Sequence, residues 1–140
     1  MITPADHPEH VVELLDHAFN RGDVEAVLAF YEEAATVVAT PPNILRGKTQ
    51  LRSFFKTALL SGSRAKQLKV RVIETDGIAL FLSHWSLVPK DAAPEAAGQV
   101  FFATTVFRKQ SNGSWKVLID NPFGSAALES AERPPVHPQT

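Results

Sequence analysis

Up to Leu60 the apolar residues recur at helical spacing, and from Ala65 onward they alternate with polar ones, which is the period of a strand. Pro8 suits the opening turn of a helix, and Val11, Leu14, Leu15, Ala18 and Phe19 form its apolar stripe before Gly22 ends it. Asp23 caps a second, short helix in which Val24, Val27, Leu28 and Tyr31 share one face. A β-like run at 35–39 is halted by Pro41 and Pro42. A third helix is predicted from about Gly47 to Leu60, with Leu51, Phe54, Phe55, Ala58 and Leu59 facing inward.

Beyond Ala65, Leu68, Val70 and Val72 alternate with Lys69 and Arg71, Asp76-Gly77 makes a tight turn, and Ile78–Val88 returns as a second strand. A loop rich in Pro and Ala at 89–97 leads into a hairpin, 100–108 and 115–121, that turns at Ser111-Asn112-Gly113-Ser114. Helices first and a four-stranded antiparallel meander after predict an α+β domain with the helices on one face of the sheet. A turn centred on Asn112-Gly113 places Thr105 opposite Asp120. Alternation then gives one face Phe101, Ala103, Thr105, Phe107, Leu118 and Asp120, and the other Phe102, Thr104, Val106, Trp115, Val117 and Ile119. Both faces are apolar, so one is expected to cover a core or pocket and the other to meet a second copy of the chain in a homodimer.

Composition narrows the function. The 140 residues fit one domain, read as 1–124 with a mobile Pro-rich tail at 125–140. A net charge of −1 offers no field for nucleic acid. Cysteine is absent, which removes disulfides, thiolate nucleophiles and Cys-based zinc sites. The N-terminus has no basic stretch followed by an apolar one, and no apolar run approaches the ~18 residues that span a bilayer, so a cytoplasmic protein without membrane contact is expected.

Three stretches carry a resemblance. They are Phe19-Asn20-Arg21-Gly22-Asp23 between the first two helices, residues 30–37 entering the first strand, and Arg46-Gly47-Lys48 opening the third helix. With the ending at 113–124, their order and spacing resemble the nuclear transport factor 2-like superfamily, whose members include ketosteroid isomerase, scytalone dehydratase and the SnoaL-like cyclases. The resemblance implies a cone: a strongly curved antiparallel sheet around a cavity, closed by three N-terminal helices packed on its concave face and often dimerising through the outer one. Ketosteroid isomerase works with a carboxylate base and an oxyanion hole of tyrosine and protonated aspartate. The resemblance puts those groups near Ala39, Leu15 and Thr104 or Thr105, where none is present, so that mechanism is argued against.

The candidate chemistry centres on His84 and Asp120. His84 shares the alternation of Leu80 and Leu82, which the resemblance places along the cavity, and an imidazole there can exchange protons near neutral pH. Asp120 lies two strands away across Thr105 and could orient it; alternatively His84 is satisfied locally and Asp120 stabilises the turn before Pro122. Tyr31, Phe55, Leu82, Thr105 and Phe107 are expected to line the ligand site, with Thr40, Asn43 and Arg46 at its mouth. His10, Glu13 and His17 share a helical face opposite the apolar stripe, a poor metal site that reads better as solvated surface. Gly47-Lys48-Thr49 ends like a phosphate-binding loop, but Pro42 occupies its earlier glycine position. The expectation is a pocket for a small, largely apolar molecule, with acid–base chemistry that needs no metal or organic cofactor. The alternative is a non-catalytic association module using the outer sheet face, with Phe102, Val106, Trp115 and Val117.

Overall fold

The computed structural model describes residues 6–40, 43–93 and 98–129. Helix α1 (Pro8–Asn20) opens on Pro8 and stops at Gly22, whose φ of 76° suits a residue without Cβ; the amides of Gly22 and Asp23 fold back onto the carbonyls of Phe19 and Ala18. The Asp23 carboxylate accepts from the Ala26 amide at 3.1 Å and so caps α2 (Val24–Leu28). The expected run of this helix through Tyr31 is corrected, because α2 ends at Leu28 and Tyr31 begins β1 (Tyr31–Val38). So short a helix has few internal bonds, and pairing of this segment with the sheet outweighs another turn.

A three-residue strand, β2 (Ile44–Arg46), follows and is too short to show a period. Then come α3 (Gly47–Leu60), β3 (Arg64–Thr75), β4 (Ile78–Val88), β5 (Gln99–Lys109) and β6 (Trp115–Asn121). Asp76 and Gly77 both have positive φ, as a two-residue hairpin turn requires. The six strands form one curved, open sheet in the order β2-β1-β6-β5-β4-β3, antiparallel throughout except for the parallel pair β1 and β6. The core lies between the helices and the concave face, where Val11, Leu51, Phe55, Phe81, Phe107 and Trp115 pack together. A helical turn, α4 (Ala126–Glu129), occupies the start of the expected tail; residues 130–140, Pro41-Pro42 and 94–97 lie outside the described residues. Among the described residues no helix is long and apolar enough to cross a membrane.

Two bulges decide which side chains face inward. In the hairpin of β5 and β6, Val106 pairs with Ile119 but Phe107 pairs with Val117, which leaves Leu118 as an extra residue. The expected pairing of Thr105 with Asp120 holds, yet below the bulge the parity reverses. Trp115 and Val117, expected on the outer face, are buried in the core, and Leu118 leaves the inner face. A second bulge lies in β3, where Gln67 pairs with Trp85 and Lys69 with His84, so that Leu68 is the extra residue. Gln67 thereby takes the inward position that alternation from Val70 would give to Leu68.

The parity of β4 is also corrected. Thr105 faces inward and pairs with Phe81, so the odd positions Phe81, Ser83, Trp85 and Leu87 line the interior, while Leu80, Leu82 and His84 face outward. Both faces of this strand are apolar, and its own pattern carries no sign of which is buried. On the outer face, Ile73, Leu80, Val106 and Ile119 stand opposite one another in an apolar row across four strands.

Candidate functional site

The concave sheet, α1 and α3 enclose a cavity of about 580 Å³. Its wall is mostly aliphatic and aromatic, and two carboxylates, Asp16 and Asp120, enter it. Asp120 comes from β6, turned inward by the Leu118 bulge. One of its oxygens accepts from the Tyr31 hydroxyl at 2.8 Å and the other from the Thr105 hydroxyl at 3.1 Å. The Tyr31 ring is fully buried against Phe55, so the hydroxyl has little freedom to point elsewhere. Burial raises the proton affinity of Asp120 above that of an ordinary carboxyl, and the bonds from Tyr31 and Thr105 partly offset this. Burial likewise pushes the Tyr31 phenol well above its usual range, and the charge on Asp120 adds to the effect. The hydroxyl therefore stays protonated and remains a donor.

Asp16 comes from α1, where it follows Val12 by one turn and precedes Phe19 by about one more, on the inner edge of the apolar stripe. Gln67 Nε2 donates to it at 2.9 Å, and the bulge at Leu68 is what brings that amide inward. Burial lifts the Asp16 pKa to about 6; the Gln67 bond opposes the rise and the negative charge of Asp120 adds to it. A carboxyl so placed carries a proton part of the time near neutral pH, which suits an acid or a base.

Of the residues expected at the ligand site, Tyr31, Thr40, Phe55, Thr105, Phe107 and Asp120 line this cavity. Arg46, Leu82 and His84 do not. Arg46 is exposed at the start of α3, where its amide donates to the Gln50 side chain. His84 is exposed on the outer face with its ring 5.5 Å from that of Phe102, so the expected pair of His84 and Asp120 is separated by the sheet itself. Asp16 and Gln67 went unseen in the sequence. The position of Asp16 beside Val12 and Phe19 on the helical wheel was a usable signal, whereas Gln67 had none, because a bulge sets its direction.

At the open end, Trp85, Phe101 and Phe123 form an aromatic group with ring centroids 5.0 to 6.3 Å apart. Trp85 Nε1 donates to the Pro122 carbonyl at 2.8 Å, fixing the chain after β6 over the cavity. Gly124 packs there so tightly that a Cβ would lie 2.5 Å from the Phe102 carbonyl oxygen.

Several solved structures share this fold. A protein of unknown function with a cystatin-like fold from Nostoc punctiforme superposes with a TM-score of 0.71 at 20% identity, over 81% of this chain and 84% of that one. An NTF2-like protein of unknown function from Pseudomonas putida gives 0.70 at 18%, over 81% and 80%. A protein from Shewanella frigidimarina, provisionally assigned as a ketosteroid isomerase, gives 0.66 at 17%, over 79% and 89%. No curated protein matches the chain. The model of the SnoaL-like domain matches residues 11–117, and the chain accordingly belongs to the SnoaL-like domain family within the nuclear transport factor 2-like superfamily.

Proposed function

We propose that the chain binds a small, largely apolar molecule in the concave cavity and moves a proton on it with Asp16, Asp120 acting as its charged partner. The observation that carries this reading is the entry of two carboxylates into one otherwise apolar space of ligand size. An apolar wall excludes water, and a carboxyl with a pKa of about 6 can both take and return a proton there. A carbon acid beside a carbonyl is one substrate type that fits. Asp16 removes the proton from carbon, the electron pair moves into the carbonyl, and the proton returns elsewhere, or a neighbouring hydroxyl leaves as water. The provisional assignment of the Shewanella frigidimarina protein as an isomerase is in keeping with this class. The acids here come from α1 and β6, so the constellation differs from the one the sequence argues against.

A thermal-shift panel of apolar ketones and phenols tests the binding step. A ligand at ~100 times its dissociation constant stabilises the native state by roughly 2.7 kcal/mol. Ala103→Trp, which fills the cavity from β5, is expected to remove that shift while the protein still folds. Stabilisation that survives Ala103→Trp would place the ligand elsewhere and sink the reading.

A second reading concerns the outer face. The apolar row of Ile73, Leu80, Val106 and Ile119, with exposed Phe102 and Val100 beside it, supports self-association of two sheets face to face. Sedimentation of the wild type at micromolar concentration is expected to give a dimer, and Leu80→Lys, at the centre of the row, a folded monomer. A wild type that sediments as a monomer would count against this surface.

A further inference from the structure

We propose that the ligand of this cavity carries a protonated amine on its apolar body, held by Asp16 and Asp120 against the aromatic wall; the inference rests on reading the cavity as a ligand pocket. Its basis is the balance of donors and acceptors. The strong donors of the deep wall are already committed: Tyr31 and Thr105 to Asp120, Gln67 Nε2 to Asp16, and Trp85 Nε1 to the Pro122 carbonyl. The acceptors are not. Among the described residues Gln67 Oε1, which can only accept, has no hydrogen-bond partner, and neither has the hydroxyl of Ser83, a residue only 2% exposed that lines the cavity and can accept as well as donate. An ammonium brings three donors and no acceptor, which is the complement of this wall. A carboxylate or phosphate would bring only further acceptors.

Charge points the same way. Among the described residues no lysine, arginine or histidine lines the cavity, and the smaller hollow that shares Asp16 and Gln67 with it adds Glu9 and Glu13. An uncompensated pair of carboxylates in an apolar space attracts a cation and repels an anion. The faces of Phe19, Phe81 and Trp85 on the same wall offer the quadrupole that holds organic cations.

Calorimetric titration of the full chain at neutral pH with three probes of one shape, naphthylmethylamine, naphthylmethanol and naphthoate, tests this. The amine is expected to bind at least about tenfold more tightly than the alcohol, with the acid weakest. Asp120→Asn should remove most of that preference, the amine losing more affinity than the alcohol, since an asparagine oxygen still accepts from Tyr31 but carries no charge. Equal binding of amine and alcohol overturns the inference and leaves the pocket reading intact. So does a preference that persists in Asp16→Asn/Asp120→Asn. Tightest binding of the acid also overturns it. Binding of none of the three overturns the pocket reading and the inference together.

Discussion

Asp16→Asn is expected to slow deuterium exchange at the α-carbon of a bound apolar ketone by a factor on the order of 10² to 10⁴, the usual contribution of a positioned acid or base. The amide keeps the shape of the carboxyl and can still accept from Gln67 Nε2, so binding of the ketone should change little. What it loses is the ability to take a proton. Asp120→Asn is expected to act less directly: the amide oxygen can still accept from Tyr31 while the amide nitrogen donates to the Thr105 hydroxyl oxygen, but the charge that helps hold a proton on Asp16 is gone. Exchange followed by NMR in heavy water reads both variants. An Asp16→Asn protein that exchanges at the wild-type rate would remove Asp16 from the chemistry.

The sequence made the fold legible because its signals are local and redundant. The stripe from Val11 to Phe19, the Asp23 cap, the Asp76-Gly77 turn and the Asn112-Gly113 hairpin each specify one element, and the structure places the first three where the residues imply, whereas the hairpin turns one half-step earlier, about Asn112, with Lys109 opposite Trp115. The site was legible only in part. Thr105 and Asp120 come together as expected because the extra residue Leu118 offsets the shift of the turn, restoring beyond the bulge the register that a turn at Asn112-Gly113 implies. His84 was misplaced because β4 is apolar on both faces, and its parity comes from the pairing of Phe81 with Thr105 rather than from its own residues. Gln67 was out of reach, since it faces inward only because Leu68 is an extra residue in the ladder.

The misreadings of Gln67 and of the face that carries Trp115 and Val117 share a physical cause. A bulge changes the face of every residue beyond it, and nothing in the residues at Leu68 or Leu118 announces one. In both cases the bulge sits within two residues of a polar residue that enters the cavity, Gln67 in β3 and Asp120 in β6. Without the Leu118 bulge, a strand that buries Trp115 and Val117 would continue by burying Ile119, and Asp120 would face outward. The irregularities are thus what lets a strand contribute apolar residues to the core at one end and a carboxylate to the site at the other.

The same Asp16→Asn substitution is expected to stabilise the protein, by up to about 3 kcal/mol at neutral pH. The native state holds the Asp16 pKa at about 6 against an ordinary 3.8, so the folded chain binds this proton more tightly than the unfolded one. Stability from this group is therefore fully present below the ordinary value and is lost as pH rises through about 6, beyond which the deficit stays constant. Asp120 shifts in the same direction, whereas Glu25 and Glu32 are lowered chiefly by hydrogen bonds from Arg52 and Arg108 and contribute oppositely, so the wild-type profile alone mixes several groups. The difference between wild type and Asp16→Asn isolates one of them. Urea unfolding of both proteins across the acidic range should show similar stabilities near pH 4 and a widening advantage for the variant up to neutrality. A difference independent of pH would mean that Asp16 ionises in the cavity as it does in water. Gain of stability together with loss of exchange is the signature expected of a carboxyl kept in an unfavourable place for its chemistry.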